Sequence, residues 1–115
     1  MSVFVLLGVF TATLVISIEG PANKIVSVDN DLLLICTGDI TSELIWHFNG
    51  NLLTPDLDEQ VIITLEENRE IGRKSSALTR SRATADYEGL YSCYDQVNKQ
   101  QASIAIKVTT PGRKI

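Results

Sequence analysis

The chain has 115 residues, a net charge of −4 and hydrophobic side chains at 44% of its positions. That length holds one domain at most, with a core modest enough for a covalent staple to matter. The acidic balance disfavours nucleic acid or an anionic membrane surface as partner, since both select a basic face. The two cysteines are an even count that an oxidising compartment would let pair.

The amino terminus points to such a compartment. Val3 to Ile18 carries no charge and ends at Glu19-Gly20-Pro21. The run is short of the ~20 residues a membrane span needs and suits the apolar part of a secretory signal. Ser17, with Val15 two before it, and Gly20 are small residues suited to cleavage, so residues 1–20 are expected to form a cleaved signal peptide. The missing Lys or Arg ahead of the run keeps an uncleaved anchor and a structural strand as alternatives. Residues 21–110 are then the domain and 111–115 a polar tail that offers neither a second span nor a lipid-anchor signal. No Asn-x-Ser/Thr acceptor occurs.

Within the domain, Lys24–Val28 reads as a first strand and Asp29-Asn30-Asp31 as a turn. Leu32–Cys36 follows, with Leu32, Leu34 and Cys36 inward, until Thr37-Gly38-Asp39 breaks it. Leu44, Trp46 and Phe48 alternate inward on a third strand, and Asn49-Gly50 is a strong hairpin signal leading into Asn51-Leu52-Leu53. Thr54–Gln60 reads as an exposed loop, Val61–Leu65 as a strand, Glu66–Arg73 as a charged turn and Ser75–Ser81 as a strand. Ala85–Glu88 then delivers the chain into a strand whose alternate positions Gly89, Tyr91 and Cys93 share the inner face. Leu90, Ser92 and Tyr94 take the other face. After a turn at Val97–Gln100, Ala102, Ile104, Ile106 and Val108 alternate with Ser103, Ala105 and Lys107. Seven or eight short strands without any helical period make an all-β sandwich.

Cys36, Trp46 ten positions later, and Tyr91-x-Cys93 carry a resemblance to the immunoglobulin superfamily over roughly Asn23 to Thr109. Asn49-Gly50 with Leu53 matches the Trp-x-x-Asn-Gly-x-x-Leu pattern of intermediate-type domains. Leu78 and Ala83 match apolar positions upstream of the Tyr-x-Cys strand. The resemblance implies a two-sheet antiparallel sandwich with one inter-sheet disulfide between Cys36 and Cys93, Trp46 packed on it, and Tyr91 forming the tyrosine corner. Closing so long a loop would stabilise the fold by about 4 kcal/mol. Two residues depart from the pattern. Tyr87 stands where the family usually has an acidic residue, with Asp86 one place early, and Arg80 stands where an inward apolar residue is usual. An unpaired buried guanidinium is costly, so Arg80 is expected either to snorkel to the rim or to mark an irregular strand. Ser75–Leu78 through Cys93, then Ala102–Val108 and Pro111, is also similar to the membrane-distal domain of platelet-derived and vascular endothelial growth factor receptors. That likeness implies extracellular recognition and no catalysis.

The side chains offer little for chemistry. His47 lacks a partner nucleophile or further ligands, and Asp56, Asp58 and Glu59 lack calcium-loop spacing. Arg69, Arg73, Lys74, Arg80 and Arg82 are interspersed with Glu66, Glu67 and Glu70. No enzyme, metal or cofactor is expected. A binding face is better supported: Ile45, His47, Leu90, Tyr94 and Ala105 fall on the outer side of one sheet, where aromatic and apolar residues suit a protein partner. Leu33 and Ile35 pose the same question on the other sheet. The expectation is a secreted or extracellular module that binds a protein ligand or receptor, possibly homophilically, through a sheet face or loops. The alternative is the membrane-distal domain of a growth factor receptor, as a fragment or soluble form.

Overall fold

The computed structural model describes residues 16–20 and 23–110. Most of the expected signal peptide, and the tail 111–115, lie outside the described residues. The strands are β1 (Ser17–Ile18), β2 (Asn23–Ser27), β3 (Leu32–Asp39), β4 (Leu44–Phe48), β5 (Asn51–Leu52), β6 (Val61–Asn68), β7 (Arg73–Arg80), β8 (Gly89–Asp95) and β9 (Gln100–Thr109), with a 3-10 turn at Ala85–Tyr87 before β8. They form a four-stranded sheet in the order β1-β3-β7-β6 and a five-stranded sheet in the order β2-β9-β8-β4-β5.

The second sheet is not purely antiparallel. β2 runs parallel to β9, with Asn23 opposite Ala105 and Ser27 opposite Thr109. The cause is a change of sheet near the amino terminus. β1 pairs antiparallel with β3 in the first sheet; the chain keeps its direction as it passes to the edge of the second, where β9 points the same way. Ser17 and Ile18, assigned by composition to the signal peptide, are thus placed beside Thr37 and Cys36, and Ile16 is buried against the core.

Two strands run longer than composition suggests. β3 continues through Gly38 to Asp39; a β-carbon on Gly38 would lie 2.7 Å from Ser42 Oγ, so this glycine makes room for the following turn instead of ending the strand. β6 and β7 extend to Asn68 and Arg73, converting most of the charged turn into hairpin. Beyond Leu65 the β6 side chains are exposed on both sides. Apolar alternation therefore stops there while the backbone ladder continues.

The core follows the alternation. Leu32, Leu34 and Cys36 of β3, Trp46 of β4, Leu78 of β7, Tyr91 and Cys93 of β8, and Ile104 and Ile106 of β9 are all buried. Cys36 and Cys93 are disulfide-bonded across the sheets, with their Cα atoms 6.4 Å apart. Trp46, only 1% exposed, donates from Nε1 to Ser76 Oγ at 2.9 Å and so satisfies its polar edge on the facing sheet. The hairpin signal holds: Asn49 and Gly50 take φ of 50° and 86°, the backbone a two-residue hairpin turn requires.

Candidate functional site: the five-stranded sheet face and its framing loops

Hydrogen-bonded register places the five predicted face residues. Ile45 lies directly opposite Tyr94, and His47 lies opposite Ser92 on one side and Leu52 on the other. Leu90 lies opposite Ala105. Residues opposite one another in a ladder project to the same side, so all five point outward from β8 and its neighbours. They do not form one continuous apolar patch. An Ile45–Tyr94 pair and a Leu90–Ala105 pair are separated by Ser92 and Ser103, whose hydroxyls are hydrogen-bonded at 2.9 Å. Leu52 and Ile25, 48% and 67% exposed, widen the apolar surface at the sheet's two edges. Neither was singled out in the sequence, because β5 has only two residues and β2 pairs in a direction that alternation does not encode. Beside Ala105 the surface dips into a depression of about 270 Å³ lined in part by Ile25, Glu88 and Lys107.

The end of the sandwich that adjoins Tyr94 is organised by Asp95. This side chain is fully buried and accepts hydrogen bonds from Ser42 Oγ at 2.6 Å and Asn98 Nδ2 at 2.8 Å. It also accepts from the backbone N–H groups of Glu43, Val97 and Asn98 at 3.2, 3.0 and 3.1 Å. Burial alone would push its carboxyl up; the convergent donors outweigh it and bring the pKa from 3.8 to about 2. The loop 40–43 and the turn 96–99 are thereby tied together, reinforced by Gln96 N–H donating to Glu43 O at 3.0 Å. Lys74 Nζ, donating to Ser42 O at 2.7 Å, secures the same loop to β7.

The opposite end answers the question raised by Arg80. It neither snorkels nor disturbs its strand: Arg80 is 7% exposed and in regular register opposite Leu32 and Val61. Its guanidinium donates from Nη2 to Asp58 Oδ2 at 2.8 Å and from Nη1 to Tyr91 Oη at 2.6 Å. It also stacks 4.1 Å from the Tyr87 ring centroid and 4.8 Å from that of Phe48. Tyr91 Oη passes a hydrogen bond on to Tyr87 O at 2.7 Å, the tyrosine-corner contact. The aromatic at position 87 thus supplies a surface for the cation, and the missing carboxylate comes from the 54–60 loop. Burial works against charge on both partners, but Gln60 N–H and Arg80 hold the Asp58 carboxyl below its ordinary pKa. Asp58 and Tyr91 raise that of Arg80.

Other candidates for chemistry are dispersed. Asp58 is committed to Arg80, and Glu67 pairs with Arg69 at 3.3 Å and Lys74 at 3.8 Å, which breaks up the basic set. Among the described residues no three His, Cys, Asp or Glu side chains are grouped to hold a metal. His47 has Ser92 and Leu52 as its cross-strand neighbours.

A four-on-five sandwich with a cross-sheet disulfide, a tryptophan packed on it and a tyrosine corner at the start of β8 decides the architecture. The chain has the immunoglobulin fold. Solved structures agree. This immunoglobulin domain superposes on Dpr2 Ig1-Ig2, taken from a complex with DIP-Theta Ig1-Ig3, with a TM-score of 0.70 at 19% identity over 83% of this chain and 49% of that one. It therefore spans about half the length of that neighbour. It superposes on domain I10 of titin with a TM-score of 0.62 at 16% identity over 83% of this chain and 99% of that one. For the Ig-like domain of human obscurin-like protein 1 the TM-score is 0.60 at 14% identity, over 86% and 89%. At such identities the likeness concerns the immunoglobulin fold and not the narrower similarity to growth factor receptors. No protein-family model matches the sequence, and no characterised protein matches it in sequence.

Proposed function

We propose that this immunoglobulin domain is an extracellular recognition module that binds a protein partner through the outer face of its five-stranded sheet. The contact would centre on Ile45, His47, Leu90, Tyr94 and Ala105 and extend onto the adjoining loops 40–43 and 96–99. The observation that carries the reading is the join between face and loops. Tyr94 projects outward one residue before the buried Asp95 that fixes both loops, so the surface is held in one shape before a partner arrives. An apolar pair on either side of a hydrogen-bonded serine stripe also suits an interface that mixes anchors with polar contacts. The Dpr2 neighbour is an immunoglobulin-fold protein seen in complex with another, which agrees with protein recognition as the use of this architecture. The disulfide fits an oxidising compartment. A signal peptide that ends before Ile16 would deliver the chain there with β1 intact.

The test is a pull-down from extracellular material with the purified domain and an Ile45→Arg/Tyr94→Ala version of equal stability. Partners recovered by the first and lost by the second are expected. Equal recovery by both removes this face from consideration.

A further inference from the structure

The first sheet ends in an edge that carries charge only in its far half, at Glu66 and Glu67, and that nothing blunts from Val61 to Leu65. In the order β1-β3-β7-β6, β6 has a hydrogen-bonded neighbour on one side only. At eight residues it is far longer than β1 or β5, which have two each. Natural edges carry proline, lysine, bulges or inward charges to prevent pairing. Val61-Ile62-Ile63-Thr64-Leu65 has none of these, and Ile62 and Leu65 are 59% and 62% exposed. Leu65 is opposite the buried Ser76, so it occupies an inward register and is nevertheless open to solvent.

The ladder shows which backbone groups are unpaired. Ser81 N–H donates to Gln60 O, and antiparallel bonding alternates along a strand. Ile62, Thr64 and Glu66 therefore bond to β7, while the N–H and C=O of Ile63, Leu65 and Glu67 point away from the sheet.

We propose that β6 pairs antiparallel with β6 of a second copy of this chain, with Thr64 at the two-fold axis, joining two four-stranded sheets into one of eight strands. The charges choose both occupant and register. With Thr64 on the axis, Ile63 lies opposite Leu65 of the copy and exchanges backbone hydrogen bonds with it. Val61 lies opposite Glu67, and Glu59 lies opposite Arg69. The Arg69 side chain is 82% exposed, in an ion pair with Glu67 of its own hairpin, so it is free to reach a second carboxylate. Sliding the register by two residues the wrong way sets Glu67 against Glu59, and a parallel, in-register alignment stacks Glu66 and Glu67 on their own copies. The pairing is isologous and closed, so it ends at two copies. It uses the edge opposite the proposed partner face and leaves that face free, so it does not rest on the function proposed above.

Sedimentation equilibrium of the full chain, expressed in secretory cells and collected after any processing, tests the pairing over a range of concentrations. A reversible dimer is expected. Leu65→Pro replaces a partly exposed side chain and removes a backbone donor that points away from β7, and Leu65→Lys charges the edge; each should weaken dimerisation at least tenfold while the far-ultraviolet spectrum is unchanged. Glu59→Arg and Arg69→Glu alone should do the same, and the double charge swap should restore the dimer. A monomer at all concentrations, a dimer indifferent to Leu65→Pro and Leu65→Lys, or one abolished by Ile45→Arg/Tyr94→Ala overturns the proposal. So does a charge swap without rescue.

Discussion

Removing the anion from the Asp58–Arg80 pair should cost more than removing the cation. The asymmetry follows from where each group sits: the Arg80 side chain is 9% exposed and that of Asp58 is 24% exposed. Asp58→Ala leaves the guanidinium buried without its counter-charge. Breaking a buried pair this way costs about 3–5 kcal/mol. Here Asp58 is partly hydrated, and the stacking on Tyr87 and Phe48 continues to stabilise the cation by about 0.5–2 kcal/mol. A loss of about 2–3 kcal/mol is therefore expected. Arg80→Met puts an adaptable apolar chain into the slot between the two rings. It leaves Asp58 free to turn to water while keeping its bond from Gln60 N–H, and Tyr91 Oη still has Tyr87 O as acceptor. A loss of about 1 kcal/mol is expected. The double variant removes both charges and should resemble Arg80→Met alone, which gives a coupling energy of about 2 kcal/mol. Urea unfolding of the oxidised protein, followed by the fluorescence of the single tryptophan Trp46, measures all four species provided the m-value is constant. Asp58→Ala no more destabilising than Arg80→Met, or a double variant equal to the sum of the singles, would refute the account of this cluster. The pair also has a pH signature. The folded-state pKa of Asp58 is lowered, so its contribution is present above the unfolded value and lost as pH falls through the folded one. Asp58→Ala should lose that dependence, and Arg80→Met should reduce it to the part that the Gln60 N–H bond sustains.

Three further outcomes are expected. Asp95 falls from 3.8 to about 2 on folding, so the native state binds fewer protons between those values. About 2 kcal/mol of stability, present above pH 4, should disappear on acidification towards pH 2, and Asp95→Asn should flatten that limb of the stability–pH curve. Gly89 takes φ +155°, and a β-carbon there would lie 2.6 Å from Asn49 Oδ1 and 2.7 Å from Phe48. Gly89→Ala should cost at least about 1 kcal/mol in the same unfolding experiment, and an effect within error of zero would count against the close contact. Cleavage after Ser17 or Gly20 would strip β1 and the buried Ile16, whose burial contributes about 1.5–3 kcal/mol. The intact mass of the secreted chain should therefore show an amino terminus at or before Ile16; a start at Ile18 or Pro21 contradicts the proposed boundary.

The sandwich was legible because its core residues announce their own partners. Cys36, Trp46, Tyr91 and Cys93 sit on period-two strands that turn them inward, and their spacing resembles the immunoglobulin pattern, which implies that they meet in one interior. The Asp58–Arg80 pair was not legible. A basic residue at an inward position predicts a partner without naming it, and Asp58 comes from a loop with no period to fix its direction. Asp95 was not singled out in the sequence, although a signal for it exists. The alternation that turns Gly89, Tyr91 and Cys93 inward continues to Asp95, and an inward carboxylate ahead of a turn needs donors from that turn. Pairing direction lay beyond the sequence altogether, since alternation tells which face a side chain takes and not whether a neighbouring strand is parallel, as β2 is to β9. Ile16–Ile18 meets a similar limit: a short buried edge strand and the end of a signal peptide share a composition.

The two carboxylate clusters divide the molecule into a fixed part and a looser one. Asp58 binds the cation at one end of the sandwich, Asp95 collects five donors at the other, and the disulfide joins the sheets between them. Side chains held by such contacts lose little further freedom when a partner arrives, so affinity at the Ile45–Tyr94 face and its loops would not be reduced by the cost of ordering them. In the far half of the β6–β7 hairpin, β7 is tied to the 40–43 loop through Lys74 and the preceding Gly72, whereas β6 has no such anchor. The hairpin's β6 side chains there are exposed on both sides, and its tip is held by the Asn68 side-chain Oδ1 accepting from the Glu70 and Ile71 N–H groups. Local opening should therefore start at this hairpin. A second copy paired along β6 would protect this segment most, which would give the two proposed surfaces separate energetic roles: one preorganised before its partner arrives, the other stabilised by its own likeness.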